Sequence, residues 1–118
     1  MNTTDNVVEI YQLIGLARRA RQVVDGQDRI ISAITRGDAK LVIVTTDAGA
    51  NGRKKLFDKS SFYGVPVVNF GTKLALGNSI GRREAAAVAV LEEGFATKLQ
   101  SRIGETRGGG AFDEDSSL

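Results

Sequence analysis

Four consecutive apolar residues, Leu41-Val42-Ile43-Val44, constrain the fold of this chain more than any other feature. Polar residues do not interrupt the run, and its β-branched side chains favour a strand. A strand that is apolar at every position must be covered on both faces, as in a parallel or mixed sheet with helices on either side. The run therefore predicts a layered α/β fold.

Helical patterns and short apolar runs alternate along the rest of the chain. In the first helix, for example, Ile10, Leu13, Ile14 and Ala17 recur at helical spacing. The patterns predict helices at about 6–20, 26–36, 53–63, 72–76 and 92–103, and strands at about 22–24, 41–44, 65–68 and 85–91. This order predicts a single-domain, three-layer α/β/α sandwich with a small mixed sheet.

Individual residues predict where the helices begin and end. Asp25 is expected to cap the second helix, and Asp28 three residues later resembles a capping box. Gly37 is expected to end that helix, and Gly77 is expected to end the short fourth helix.

Several classes of function are excluded by composition and by missing motifs. The 118 residues fit one domain and include neither Cys nor His, which removes disulfides, thiol nucleophiles and the commonest general base. No phosphate-binding Gly-rich loop or nucleophile elbow is found. We therefore expect a non-enzymatic protein without a metal or cofactor. The polar N-terminus and short apolar runs predict a cytoplasmic location without membrane association.

Charge is distributed unevenly along the chain. Residues 104–118 contain four acidic residues and one arginine, a net charge of −3, which leaves +5 for the rest of a chain whose total is +2. This segment also contains Gly108-Gly109-Gly110, so 1–103 are expected to form the folded domain and 104–118 a disordered, Gly-rich acidic tail. The basic body suits a polyanionic partner without requiring one, and on magnitude alone a solubilising surface charge is the better explanation.

The turn into the second helix is the first candidate binding segment. Gly26 permits close approach of a ligand to the backbone, and the helix start offers unpaired N–H groups. Gln27 and Asp28 carry groups that can read base edges, and Arg29 adds positive charge. An ordinary capped turn is the alternative interpretation.

The second candidate is the loop that follows Gly77. Ile80 offers an apolar side chain for packing on an unstacked base, and Arg82 and Arg83 offer cations for phosphates. A helix end followed by a solvated turn is the alternative here. A third basic run, Arg53, Lys54, Lys55 and Lys59, is interpreted as a solvated helix surface.

Taken together, the motifs resemble the ribosomal L7Ae superfamily of kink-turn RNA-binding proteins, and in particular its bacterial YlxQ-type members. The resemblance extends from about Tyr11 to Leu99 and rests on the order and spacing of several motifs. These are Leu13-Ile14-Gly15-Leu16-Ala17-Arg18-Arg19-Ala20, Gly26, Ala39-Lys40-Leu41-Val42, Asp58-Lys59, Tyr63-Gly64-Val65-Pro66-Val67, Leu76-Gly77, Ile80-Gly81 and Gly94-Phe95-Ala96.

The resemblance implies an RNA-binding α/β/α sandwich in residues 1–103 that performs no catalysis. Its expected partner is structured RNA of the kink-turn type, ribosomal or ribosome-associated, and not DNA. In the family, the start of the second helix enters the opened major groove and a loop near the last strand covers an extruded nucleotide. By position, the binding residues are Gly26, Gln27, Asp28, Arg29 and Ser32 in the helix, and Ile80, Arg82, Arg83, Glu84 and Ala85 in the loop.

Four single positions, and the loop segment Arg82-Arg83-Glu84 in place of a more apolar stretch, depart from the residues typical of strong kink-turn binders. Asp28 replaces an expected Asn, Arg29 an expected Glu, Ser32 an expected Lys and Thr46 an expected acidic residue. These departures keep a second hypothesis open, in which the fold serves as a protein-interaction module with weakened or lost RNA specificity.

Overall fold

The computed structural model describes residues 3–106, with side chains described from residue 6 onward. Five helices and four strands alternate within this range, in the order that the sequence predicts. They are α1 (Thr3–Arg19), β1 (Val23–Asp25), α2 (Gln27–Thr35), β2 (Leu41–Val44), α3 (Ala50–Phe62), β3 (Val67–Asn69), α4 (Lys73–Ser79), β4 (Ala87–Val90) and α5 (Glu93–Thr106).

The four strands form one mixed sheet in the order β1-β4-β2-β3. The last strand in sequence, β4, lies between β1 and β2 and is antiparallel to both, whereas β2 and β3 are parallel. In the register, Val44 lies opposite Asn69 on one side and Ala87 on the other, and Asp25 lies opposite Val88. Consequently β1, β2 and β3 end at the edge of the sheet where β4 begins.

The central strand β2 is buried at all four positions, as predicted. Leu41 and Ile43 pack with the helices α1, α4 and α5 on one face of the sheet. Val42 and Val44 pack with α2 and α3 on the other face. The alternation of side chains along a strand thus divides the core into two layers, and the predicted three-layer sandwich is confirmed.

The predicted cap of α2 is wrong. The N-cap residue is Gly26, and no described side chain makes a capping hydrogen bond there. Asp25 is instead the last residue of β1, and its carboxylate binds two arginines. Local sequence is insufficient to predict this result because one of those arginines, Arg82, is distant in the chain.

The predicted end of α4 at Gly77 is also wrong, since the helix continues to Ser79. A Cβ atom at Gly77 would lie 2.4 Å from Cα of Glu84, a distance that real Cβ atoms essentially never show. The glycine is therefore explained by the close approach of the loop before β4 and not by a helix end.

Two other helices are longer than expected. α3 begins at Ala50, three residues before the predicted start at Arg53. α5 ends at Thr106, so the first three residues of the expected tail are helical, and the remainder of that tail lies outside the described residues. Along residues 3–106, no helix is both long and apolar enough to cross a membrane.

Candidate functional site

The two candidate segments meet at the edge of the sheet where β1 ends and β4 begins. Asp25 ends β1, and the chain turns at Gly26 directly into α2. The loop between α4 and β4, residues 80–86, approaches this turn from the other side of the same edge. Arg82 in the loop and Asp25 are 57 residues apart in sequence and in direct contact. The antiparallel pairing of β1 with β4 brings the two segments together.

The start of α2 is fully open. Gly26 has a φ of 88°, a backbone conformation that side chains other than glycine rarely adopt. Gln27, Asp28 and Arg29 follow it in the first turn, and all three are exposed. The first intrahelical bond that reaches Gly26 is donated by the Ile30 N–H, so the preceding N–H groups lack a partner within the helix. This helix start offers unpaired donors, one carboxylate and one guanidinium to a ligand.

The loop before β4 differs from the expectation in which residues it presents. Ile80, predicted to form an apolar loop tip, is only 5% exposed and packs in the core layer of α1, α4 and α5. Ala85 is also buried, at 8%. The exposed residues are Gly81, Arg82, Arg83, Glu84 and Ala86, so the large exposed side chains of this loop are all charged. Ile80 was misassigned because its burial depends on contacts with distant helices.

Asp25 lies at the centre of a charged cluster that joins the loop to β1. Its Oδ1 accepts a hydrogen bond from Nη1 of Arg18 at 3.0 Å, and its Oδ2 accepts one from Nε of Arg82 at 3.0 Å. A weaker bond from Nη2 of Arg82 to Oδ1 measures 3.4 Å. Burial by itself raises the pKa of Asp25, but the hydrogen bonds from Arg18 and Arg82 outweigh it and hold this pKa below its ordinary value.

The start of α3 forms a third side of the site that the sequence interpretation missed. It is capped by Gly49, without a side-chain hydrogen bond, and Gly52 lies in its first turn. A Cβ at Gly52 would stand 3.0 Å from Oε1 of Gln27, so the Gln27 amide lies directly over this glycine. The two glycines close to a predicted helix start were the available signal. Gly52 allows the starts of α2 and α3 to touch, whereas a Cβ at Gly49 would meet no atom within 4 Å.

A pocket of about 300 Å³ opens between these three segments. Its walls include Gly26 and Gln27 from α2, Gly49 and Arg53 from α3, and Glu84 from the loop, with Val44 and Ala87 from the sheet behind them. Small residues line most of the remaining surface. The pocket is small, and polar side chains of Gln27, Arg53 and Glu84 lie along it.

Arg53 does not belong to a solvated surface, in contrast to the prediction. Its guanidinium donates to Oδ1 of Asn69 and to the backbone oxygen of Thr45, and it lies 5.9 Å from the centre of the Phe57 ring. It therefore joins α3 to the ends of β2 and β3. Lys54 and Lys55, in contrast, are exposed as predicted.

Ser32, the remaining predicted site residue, lies one turn into α2 and is half-buried. Its Oγ accepts a hydrogen bond from Nη1 of Arg36 at 2.9 Å, and Nε of Arg36 pairs with Asp38 at 3.1 Å. A guanidinium therefore lies beside the serine, although it is already paired with a carboxylate.

The site is built for hydrogen bonding and electrostatic binding. Within the described residues, no group of three or more acidic side chains is arranged to hold a metal ion. Arg29 and Arg83 make no ion pair with another described residue, and they lie on the two segments that meet at this edge. Free guanidinium groups, unpaired helix N–H groups and a small pocket together suit a ligand that combines negative charge with planar polar groups.

Comparison with known proteins gives consistent matches over most of the chain. Residues 8–100 match the Ribosomal protein L7Ae/L30e/S12e/Gadd45 family. The RNA-binding protein YlxQ of Bacillus subtilis is 46% identical over 96 residues, which cover 81% of this chain and 96% of the relative. The RNA-binding protein YlxQ of Enterococcus faecium is 36% identical over 98 residues, covering 83% of this chain and 94% of the relative.

A solved structure has the same fold at similar coverage. A protein of unknown function from Bacillus halodurans is 39% identical and superposes with a TM-score of 0.78, covering 80% of this chain and 95% of that one. The matches in sequence and structure confirm the predicted likeness to YlxQ-type members and the predicted fold class.

Proposed function

The chain belongs to the Ribosomal protein L7Ae/L30e/S12e/Gadd45 family, and from this premise we propose that it binds structured RNA through the edge formed by the start of α2 and the loop before β4. The chain is not an enzyme, because this family and its YlxQ relatives are non-enzymatic. RNA binding is supported by the two YlxQ relatives, which are RNA-binding proteins.

The proposal rests on one observation: the start of α2 and the loop before β4, which are distant in sequence, meet beside a pocket at one edge of the sheet. The start of α2 contributes unpaired N–H groups and the exposed Gln27, Asp28 and Arg29. The loop contributes Arg83, which has no ion-pair partner among the described residues. Phosphates are bound by guanidinium and helix N–H groups, and base edges are read by amide and carboxylate groups.

The proposed target is RNA of the kink-turn type, in ribosomal or ribosome-associated RNA. A sharply bent RNA opens its major groove, which in a regular A-form helix is too deep and narrow for side chains to read. An exposed helix start such as Gln27-Asp28-Arg29 can enter the opened groove, while a second segment contacts a displaced nucleotide. A straight duplex offers neither feature, so the two RNAs are distinguished by shape.

A gel-shift titration of the full chain with a kink-turn duplex and a straight duplex of equal length and base composition tests this proposal. We expect tighter binding to the kink-turn at every salt concentration, and a linear fall of log K with log salt for both RNAs. Equal affinity for the two RNAs would remove kink-turn specificity. The absence of binding to both would remove the RNA-binding proposal itself.

A second candidate function is supported by the loop before β4. Because Ile80 is buried, the described loop offers Arg82, Arg83 and Glu84 where an apolar contact to an unstacked base was expected. A charged loop also suits an acidic or mixed-charge protein surface. Affinity purification from cells, with and without ribonuclease, separates the two candidates. Protein partners that survive digestion, without recovered RNA, favour a protein-interaction module.

A further inference from the structure

The cluster around Asp25 has an unusual distribution of exposure. The Asp25 side chain is 14% exposed, whereas that of Arg82 is 45% exposed. Arg82 uses Nε and Nη2 together toward the two oxygens of one carboxylate, and Arg18 approaches from α1. Charge-assisted bonds of this forked kind are among the strongest and most geometrically specific in proteins. The largely buried carboxylate therefore fixes the position of the more exposed arginine.

The backbone of the same loop is fastened to α4. Arg82 N–H donates to the Gly77 oxygen at 2.8 Å, and Ala85 N–H donates to the Lys73 oxygen at 3.0 Å. The missing side chain at Gly77 lets the Glu84 backbone approach the helix. These contacts fix the loop relative to α4, but they do not fix it relative to α2. The Asp25–Arg82 pair joins the loop to the last residue before the turn into α2, and the Thr45 N–H, which donates to the Ala86 oxygen at 2.8 Å, joins it to the end of β2.

Arg82 and Arg83 are neighbours with different surroundings. Arg82 is paired with Asp25, whereas Arg83 is exposed and has no ion-pair partner among the described residues. We propose that Asp25 is a positioning residue for RNA binding, which holds Arg82, and through it the loop, at a fixed distance from the start of α2. In this arrangement Arg82 is a link within the protein, and Arg83 is the arginine of this loop that binds phosphate. The inference rests on the proposed function.

The opposite assignment, in which Arg82 leaves Asp25 to bind a phosphate, has a clear energetic disadvantage. A largely buried carboxylate that loses one of two partners retains the cost of its desolvation without the full compensating attraction. Arg83 reaches a phosphate without this cost. The two assignments also predict opposite effects of neutralising Asp25, because removal of a competing carboxylate would strengthen binding by a released Arg82.

Four variants of the full chain test the proposal with the kink-turn duplex as the probe: Asp25→Asn, Arg82→Gln, their double variant, and Arg83→Gln. We expect Asp25→Asn and Arg82→Gln each to weaken binding about three- to tenfold, and the double variant to weaken it no further. Neither of the two single variants, Asp25→Asn and Arg82→Gln, should change the slope of log K against log salt. Arg83→Gln, the matched control, should reduce that slope by about 0.7–0.9, as the loss of one phosphate contact does.

Two outcomes of the binding experiment would overturn the proposal. One is a fall in the salt slope for Arg82→Gln that equals the fall for Arg83→Gln. The other is tighter binding by Asp25→Asn. Arg82→Lys keeps one charged donor for Asp25. RNA affinity of this variant between that of Arg82→Gln and that of the native chain supports a positioning role, and affinity no higher than that of Arg82→Gln contradicts it.

Hydrogen exchange of the RNA-free protein separates failure of this inference from failure of the proposed function. Asp25→Asn should speed exchange of the Arg82 and Ala85 amides, which bind oxygens of α4, and leave the β2 amides unchanged. If exchange of these amides is faster in Asp25→Asn but the native chain binds no RNA, the proposed function is contradicted. The role of Asp25 in positioning the loop is then retained. Unchanged exchange in the loop would overturn that role.

Discussion

The start of α2 and the loop before β4 lie on one edge of the sheet but are held in opposite ways. In α2, Gly26 to Arg29 are all exposed, and the helix has no side-chain cap among the described residues. The loop, in contrast, is bound to α4 by backbone hydrogen bonds and to β1 by Asp25. The helix start presents N–H groups and side chains without partners among the described residues, whereas several groups of the loop are bound to α4 and to Asp25.

Under the proposed function, this difference assigns RNA contacts to the helix start and a positioning role to the contacts of the loop. The carbonyl groups of a helix start accept bonds from the next turn, here from the Ile30 N–H to the Gly26 oxygen, while its own N–H groups and side chains remain available to a ligand. A loop has no such internal support and must be held by contacts with its neighbours. Changes at the helix start should therefore alter RNA contacts directly, and changes at the loop should act mainly through structure.

Gly77→Ala should have the largest effect on stability because it disturbs the packing of the loop before β4 against α4. The added Cβ would lie 2.4 Å from the backbone of Glu84, which cannot move as a flexible side chain would. We expect the free energy of unfolding to fall by about 1–3 kcal/mol, more than the gain of up to about 1 kcal/mol from better helix propensity. Urea denaturation followed by circular dichroism measures this change.

Gly104→Ala is the matched control for that experiment. Gly104 lies within α5, and no atom would approach a Cβ there within 4 Å. The same substitution should therefore raise stability by up to about 1 kcal/mol through helix propensity alone. Equal stability of the two variants would show that close approach of the loop does not explain Gly77.

Arg29→Gln tests the helix start. Because Arg29 is exposed and makes no ion pair with another described residue, we expect little change in stability but about tenfold weaker RNA binding. A uniform loss across kink-turn and straight duplexes identifies a phosphate contact, and a loss confined to the kink-turn identifies a base contact. Titration at several salt concentrations measures both. Unchanged affinity for every RNA would exclude Arg29 from the interface.

The Asp25 cluster predicts a specific pH dependence of stability. The pKa of Asp25 is below its ordinary value in the folded chain, so the unfolded chain binds more protons as the pH falls through that ordinary value. The stability that ionised Asp25 contributes is therefore complete at neutral pH and is lost as the pH falls below about 4. The stability difference between the native chain and Asp25→Asn should shrink over the same range.

Urea denaturation at a series of pH values from 7 to about 3 measures this difference. Asp28→Asn is the control, because Asp28 lies on the same edge but is exposed and has no ion-pair partner among the described residues. It should alter stability little at any pH. If the difference in free energy of unfolding between the native chain and Asp25→Asn stays constant from neutral to acidic pH, ionised Asp25 does not make the stabilising contribution expected of it.

Lys40→Gln should have the smallest effect. Lys40 immediately precedes β2 and therefore lies at the opposite edge of the sheet, where it is exposed and donates to the Gly37 oxygen at 3.3 Å. We expect RNA affinity to remain within about twofold and the salt slope to remain unchanged. A reduced slope, measured in the same titration, would show that RNA extends over both edges.

Much of the site was accessible from the sequence, but its internal arrangement was not. The positions of Gly26 to Arg29 at an exposed helix start were predicted correctly, because they follow from a glycine and the helical pattern behind it. The burial of Ile80 and the pairing of Asp25 were missed, since both depend on residues far away in the chain. The role of the α3 start was missed for the same reason.

The sequence alone determined the layered fold, because a four-residue apolar strand between helical patterns is stable only when both of its faces are covered. It also predicted a helix that begins close to Gly26, since that depends on neighbouring residues, but it did not predict which residue caps the helix. The position of β4 between β1 and β2, which brings Arg82 to Asp25, is a result of tertiary packing. Strand order and long-range ion pairs depend on which distant surfaces meet, and no local pattern encodes that.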